Sequence, residues 1–178
     1  MSKLRHAMID LETMGTSTEA AIVSVGIVIF DPRIGKIDRK NTYYAELDWK
    51  RQGRVEEQSC MDNFWSKQPA KIRDALKGTD KLEDVLEDIA MFLPADCKVW
   101  GNGPTFDITK LEHCYDQCGI EVPWKFWNIR DCRTVKDMFE SSRGGLDKKV
   151  GGGGHNALQD ALHQAQYICA MWYELVNK

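Results

Sequence analysis

The chain has 178 residues, 43% of them hydrophobic and 29% charged, with a formal net charge of -3 from 24 Lys and Arg against 27 Asp and Glu. One domain spanning residues 1–178 is the expected size, large enough to bury a core without disulfides or structural metals. A mean hydropathy of -0.45 excludes a membrane-spanning, collagenous or disordered chain, and the acidic balance shows no global basic footprint for nucleic acid.

In chain order, His6 to Glu12 reads as a short strand and Ala21 to Phe30 as a long one rich in β-branched residues, closed by the turn Asp31-Pro32 and Gly35. Thr42 to Leu47 is a third strand. Turn-length connectors favour an antiparallel arrangement of the three. Ser59 to Gln68 reads as a helix ended by Pro69, and Ala70 to Leu76 as another ended by Gly78. Thr79 opens a helix with Leu82, Val85, Leu86, Ile89, Met91 and Phe92 on one stripe, and Pro94 stops it. Lys98 to Gly101 is a strand, and Pro104 opens a helix to Cys118. Trp127 to Cys132 is the fifth strand, followed by a short helix from Arg133 to Glu140 and a glycine-rich loop from Gly144 to Gly154. The last helix starts at Ala157 and buries Leu158, Ala161, Leu162, Ala165, Ile168, Trp172 and Leu175. This order predicts a layered α/β fold with a five-stranded mixed sheet and helices on its faces.

The six cysteines contain no CxxC pair, and no secretory h-region follows Met1, so reduced thiols in a cytoplasmic protein are expected. Cys114 and Cys118 beside His113 read as small core residues on a helix face, with a zinc site as the alternative. His6, His113 and His163 read as solvated bystanders. Trp100, Trp127 and Trp172 are assigned to the core.

Three segments carry chemistry. Asp10 and Glu12, at i and i+2 of a strand, share a face with Cα atoms roughly 6.5–7 Å apart. Asp107 follows Gly101-Asn102-Gly103-Pro104-Thr105-Phe106 at a strand-to-helix junction, where ligands collect in α/β sheets; its alternative role is a carboxylate answering the helix dipole. His155 and Asp160 would point about 140° apart on one continuous helix, so His155 is expected on the loop. Asn156 then becomes the N-cap, Gln159 its capping-box partner, and Gly151 to Gly154 the hinge that swings the imidazole inward. Four carboxylates and a histidine suit two-metal phosphodiester hydrolysis, with the histidine as general base near neutral pH.

The Asp-x-Glu, the Gly-Asn-x-x-x-Phe-Asp segment and the His-x4-Asp, in this order, resemble the DEDDh family of 3'-5' exonucleases, from about Ala7 to Trp172. Phe64-Trp65-Ser66-Lys67-Gln68, Phe126 to Thr134 and His155-Asn156-Ala157-Leu158 are similar to phage-type exodeoxyribonucleases and related small exoribonucleases. The resemblance implies an RNase H-like fold of three antiparallel and then two parallel strands. It implies Asp10, Glu12, Asp107 and Asp160 as ligands of two Mg²⁺ or Mn²⁺ ions, with Glu12 and His155 as catalytic residues. The expected partners are single-stranded 3' ends of DNA or RNA, no membrane, and a homodimer as one assembly found among related enzymes. By the same resemblance Thr13, Met14 and Gly15 lie under the terminal nucleotide, with Met14 wedged against the base, and Asn102 and Phe106 near the 3' end. Trp65 is expected to stack on a base or to be buried beside Phe64. Arg130 and Arg133 flank Asp131 as an ion-paired cluster or a phosphate contact. The expected product is nucleoside 5'-monophosphate. The leading reading is a 3'-5' exonuclease on single-stranded DNA, with RNA as a further substrate; an exoribonuclease on RNA or short oligonucleotides is the alternative, and a non-catalytic module that clamps 3' ends is the rival from another class.

Overall fold

A computed structural model describes residues 5–143 and 154–176. Its sheet has the order β3-β2-β1-β4-β5, from β1 (His6–Thr13), β2 (Ile22–Asp31), β3 (Lys36–Glu46), β4 (Lys98–Gly101) and β5 (Ile129–Asp131). β1 pairs antiparallel with β2, and β2 with β3. β4 lies parallel to β1, and β5 parallel to β4. The helices are α1 (Gln58–Asn63), α2 (Ala70–Arg73), α3 (Leu82–Phe92), α4 (Asp107–Cys118), α5 (Cys132–Arg143) and α6 (Ala157–Val176). This is the mixed sheet of three antiparallel and then two parallel strands that the resemblance implied.

The period of two along each strand divides the interior. Ala7, Ile9 and Leu11 of β1, with Val25, Ile27 and Ile29 of β2, pack under α3 and α4. Met8, Val28, Phe30 and Trp100 face α6, where Ala161, Ala165 and Ile168 cover them. The α6 face of β1 is apolar at Met8 and acidic at Asp10 and Glu12, so one strand supplies both a core and a site. Register sets where α6 begins. Asp10 lies opposite Gly26, and a Cβ at Gly26 would overlap the main chain of Ala157 and Leu158. With glycine there, the first turn of α6 lies directly against the sheet beside Asp10.

Several boundaries differ from those read in the sequence. β3 begins at Lys36 rather than Thr42, because it is the sheet's edge strand and its Lys36 to Asn41 half is polar and largely exposed. The expected helix from Ser59 to Gln68 is α1 followed by a separate 3-10 turn, Trp65–Lys67, and the one from Ala70 to Leu76 is α2 followed by another, Asp74–Lys77. α3 begins at Leu82 rather than Thr79, since the main chain of Asp80 bonds Glu46 and Asp48. Pro104 does not open α4; its carbonyl accepts from Ile108 and Thr109 in a turn that leads into the helix at Asp107. Asp131 caps α5, taking the Arg133 N–H on Oδ1 and the Thr134 hydroxyl on Oδ2, while the Arg130 guanidinium donates to the Trp127 and Ile129 carbonyls.

His6 is buried rather than solvated. It accepts the Trp100 indole N–H at 2.9 Å, and burial pushes its pKa down to about 4. Trp127 is 59% exposed instead of lying in the core. Cys114 is fully buried in the α3/α4 core, as the core reading expected. No helix among the described residues is long and apolar enough to cross a membrane.

Candidate active site

A cleft of about 680 Å³ opens at the carboxyl end of β1, lined by Asp10, Glu12, Thr13, Gly15, Phe64, Asn102, Phe106, His155 and Asp160 among others. In it, carboxylate oxygens of Asp10, Glu12 and Asp160 lie within 4.8 Å of one another. Asp10 and Glu12 arrive together as alternate residues of β1. Asp160 comes from the first turn of α6, whose main chain at Ala157 and Leu158 lies against Gly26.

Asp107 is not one of the three carboxylates that meet within 4.8 Å, and its charge is the neighbouring one that bears most on Asp10. The β1–β4 ladder ends at the pair Met8 and Trp100. Beyond it, Asp107 at the start of α4 takes the Leu11 N–H on Oδ1 at 3.2 Å, so its carboxylate is 3% exposed. It still acts electrically on the cleft. Burial raises the pKa of Asp10, and the neighbouring charges of Asp107, Glu12 and Asp160 add to that, with the Gln164 amide opposing. Burial, then Asp160 and Asp107, push Glu12 up to about 8. Asp107 itself is pushed up to about 7 by burial, against the Leu11 N–H and the charge of Lys110. Burial and mutual repulsion thus hold Asp10, Glu12 and Asp107 toward their protonated, neutral forms.

His155 precedes α6 with a φ of 65°, exposed at the cleft's rim, its ring edge-to-face with Phe64 at 5.0 Å between centroids. Asn156 is the N-cap: its Oδ1 accepts the Gln159 N–H. The reciprocal bond, however, runs from the Asn156 N–H to Asp160 Oδ2 at 3.1 Å, so Asp160, not Gln159, closes the box. The expected hinge at Gly151, Gly152 and Gly153 lies outside the described residues.

The contact expected of Met14 is corrected, and of the two readings of Trp65 burial beside Phe64 is the one found. Met14 is 2% exposed and its N–H is bonded to the Ala21 carbonyl, so neither side chain nor amide faces the cleft. Trp65 is fully buried and its indole N–H holds the Thr13 carbonyl at 3.0 Å; it supports the cleft floor from beneath. Phe64, its neighbour, is the aromatic that lines the cleft. Thr13 donates its hydroxyl to the Gly15 carbonyl, and both line the wall.

Three further residues shape the site. Glu57 accepts the Thr16 and Ser17 N–H groups at 2.9 and 3.0 Å. Lys110, 1% exposed, reaches the Thr16 carbonyl and lies 3.5 Å over the Phe106 ring. Gln164, one turn after Asp160, donates to Asp10 Oδ1 at 2.7 Å. The Glu57 and Lys110 contacts span dozens of residues and had no sequence signal; Gln164 was visible only as the residue one helical turn beyond Asp160.

The comparisons accord with this arrangement. The model of the 3'-5' exoribonuclease Rv2179c-like domain matches residues 5–172. The exodeoxyribonuclease of Enterobacteria phage T4 is 27% identical over 207 residues, covering 94% of this chain and 88% of the phage protein. Among solved structures, E. coli exonuclease I in complex with a dT13 oligonucleotide superposes with a TM-score of 0.65 at 12% identity, over 97% of this chain but 41% of that one. The nuclease domain of 3'hExo, a DEDDh family member bound to rAMP, gives 0.62 at 14% identity over 96% of this chain and 92% of that one. With the family model spanning nearly the whole sequence, the chain belongs to the 3'-5' exoribonuclease Rv2179c-like family and is a DEDD-type 3'-5' exonuclease.

Proposed function

We propose that this exonuclease removes nucleoside 5'-monophosphates from the 3' end of single-stranded nucleic acid, with RNA as the favoured substrate. The observation that carries the reading is the meeting of Asp10, Glu12 and Asp160 within 4.8 Å, in a cleft that His155 borders. RNA is favoured because the exoribonuclease family model spans residues 5–172; the phage relative's name supports DNA as the second reading.

The raised pKa values of Glu12 and Asp10 fit a cation site, since a carboxylate cluster with no counter-charge resists ionisation until a cation enters. Asp10, Glu12 and Asp160 would hold two Mg²⁺ or Mn²⁺ ions, with Asp107 contributing charge. Such ions, when bound, supply Lewis acidity and a water of lowered pKa.

The chain's own residues do the rest. His155 accepts the proton of the attacking water on an imidazole nitrogen, held at the rim by the edge of Phe64. Thr13 and Gly15 form one wall for the terminal nucleotide, and Asn102 and Phe106 the other. Gln164 fixes the rotamer of Asp10 through its amide.

Mass analysis of products from 3'-blocked and 5'-blocked RNA and DNA of one sequence, in Mg²⁺ or Mn²⁺, tests polarity, product and sugar together. His155→Ala should lower turnover by about 10²–10⁴-fold, the usual contribution of a general base. Asp10→Ala and Asp160→Ala should abolish divalent-dependent hydrolysis. Wild-type turnover in either aspartate variant refutes the assignment.

A further inference from the structure

Beside the cleft, across Asn102 and Gln164, lies a second cavity of about 260 Å³ between α5 and α6. Those two side chains line both hollows, so the two are neighbours along one surface. Their linings have opposite electrical character. The cleft is bordered by Asp10, Glu12, Glu57 and Asp160. The described lining of the second cavity has no carboxylate and offers Lys136, His163 and Tyr167 over an apolar floor that includes Ile168.

These groups are available to a ligand. Lys136 is exposed, and its ion pair with Glu140 is loose at 3.7 Å with both side chains about half exposed, a geometry worth little in water. The His163 ring sits 6.1 Å from that of Tyr167, tilted by 49°. The partition between the hollows is fixed: Gln164 is held by its bond to Asp10, and its Oε1 is buried with no partner among the described residues.

Spacing along α6 links the two. At 1.5 Å per residue, Gln164 lies about 6 Å beyond Asp160 and Tyr167 about 10 Å beyond it. On a chain of net charge -3, a donor-lined hollow one step from an acidic cleft suits an anion covalently continuous with the group held in that cleft. We propose that this cavity binds the backbone phosphate one nucleotide upstream of the linkage being cut, with Lys136 and His163 as its donors. The inference rests on the exonuclease reading of the cleft.

A dinucleotide with a 5'-hydroxyl has only the scissile phosphate; its 5'-phosphorylated form adds the upstream one. The wild-type protein should cleave the phosphorylated dinucleotide with kcat/KM about tenfold higher, the scale of one or two charge-assisted hydrogen bonds. In the Lys136→Ala/His163→Ala double variant the ratio between the two substrates should fall to near one. A wild-type ratio near one, or a ratio that survives the double substitution, overturns the proposal. Absence of cleavage of either dinucleotide by the wild type counts against the exonuclease reading instead. The subsite is then judged by equilibrium binding of the same pair with a non-hydrolysable linkage, where equal affinities overturn it.

Discussion

Glu12 ties the stability of the metal-free protein to pH in an unusual direction. Its pKa is displaced from 4.5 to about 8 by burial and by Asp160 and Asp107. Below pH 4.5 both folded and unfolded chains keep this proton. As pH rises toward 8 the unfolded chain releases it while the folded chain retains it, so folded stability falls across that window. At about 1.4 kcal/mol per pH unit the whole displacement corresponds to about 5 kcal/mol. Asp10 and Asp107, also raised, act with the same sign.

His6 works in the opposite sense at lower pH. Its pKa falls from 6.5 to about 4, so stability is lost as pH drops below 6.5, when the unfolded histidine takes up a proton. The clean interval for the carboxylates is therefore pH 6.5 to 8. Over it Glu12 alone contributes about 2 kcal/mol, or about 4–8 °C in Tm for a chain of this size. Thermal melts in a chelator at both pH values read this directly. Glu12→Gln should remove the share of the difference that Glu12 carries, leave that of Asp10 and Asp107, and raise Tm at pH 8. Saturating Mn²⁺ should also shrink it, because the cation stabilises the ionised form. A Tm in chelator that is flat or higher at pH 8, with Glu12→Gln no different from wild type, refutes the electrostatic account of the site.

Gly26→Ala places a methyl group in the main chain of Ala157 and Leu158; it should lower stability by about 1–3 kcal/mol in a urea titration and reduce hydrolysis by moving Asp160. Trp65→Phe removes the indole bond to the Thr13 carbonyl, leaving on that acceptor the weak Cys60 thiol contact at 3.5 Å; it should cost about 1 kcal/mol, and unchanged denaturant stability would contradict its structural role. Phe64→Ala, which removes the ring against His155, should lower hydrolysis more than Trp65→Phe does, as measured on a single-stranded oligonucleotide at fixed Mg²⁺.

Much of the fold was legible because it rests on strong local patterns. β2 announces itself by a long run of β-branched residues and α6 by helical spacing of apolar ones. β3 was half hidden, since an edge strand faces water and keeps no apolar alternation in Lys36 to Asn41. At the site, Asp10 and Glu12 share a face by strand geometry alone, and the N-cap at Asn156 follows from residue type. What could not be read was which of two adjacent aromatics faces the cleft. Phe64 and Trp65 have equal claims until the Thr13 carbonyl captures one indole N–H. The recess of Asp107 was equally hidden, because it depends on where the β1–β4 ladder stops.

The sheet's two margins are guarded in different ways. On one side β3 presents Lys36, Asp38, Arg39 and Lys40 along its outer half; on the other, β5 is three residues long. Unsatisfied main-chain groups on a flat margin invite another chain to zip onto them, and charge and brevity are the common defences. Charge on β3 and the brevity of β5 thus disfavour extension of the sheet by a second chain at either margin. That keeps the order β3-β2-β1-β4-β5 closed to open-ended stacking.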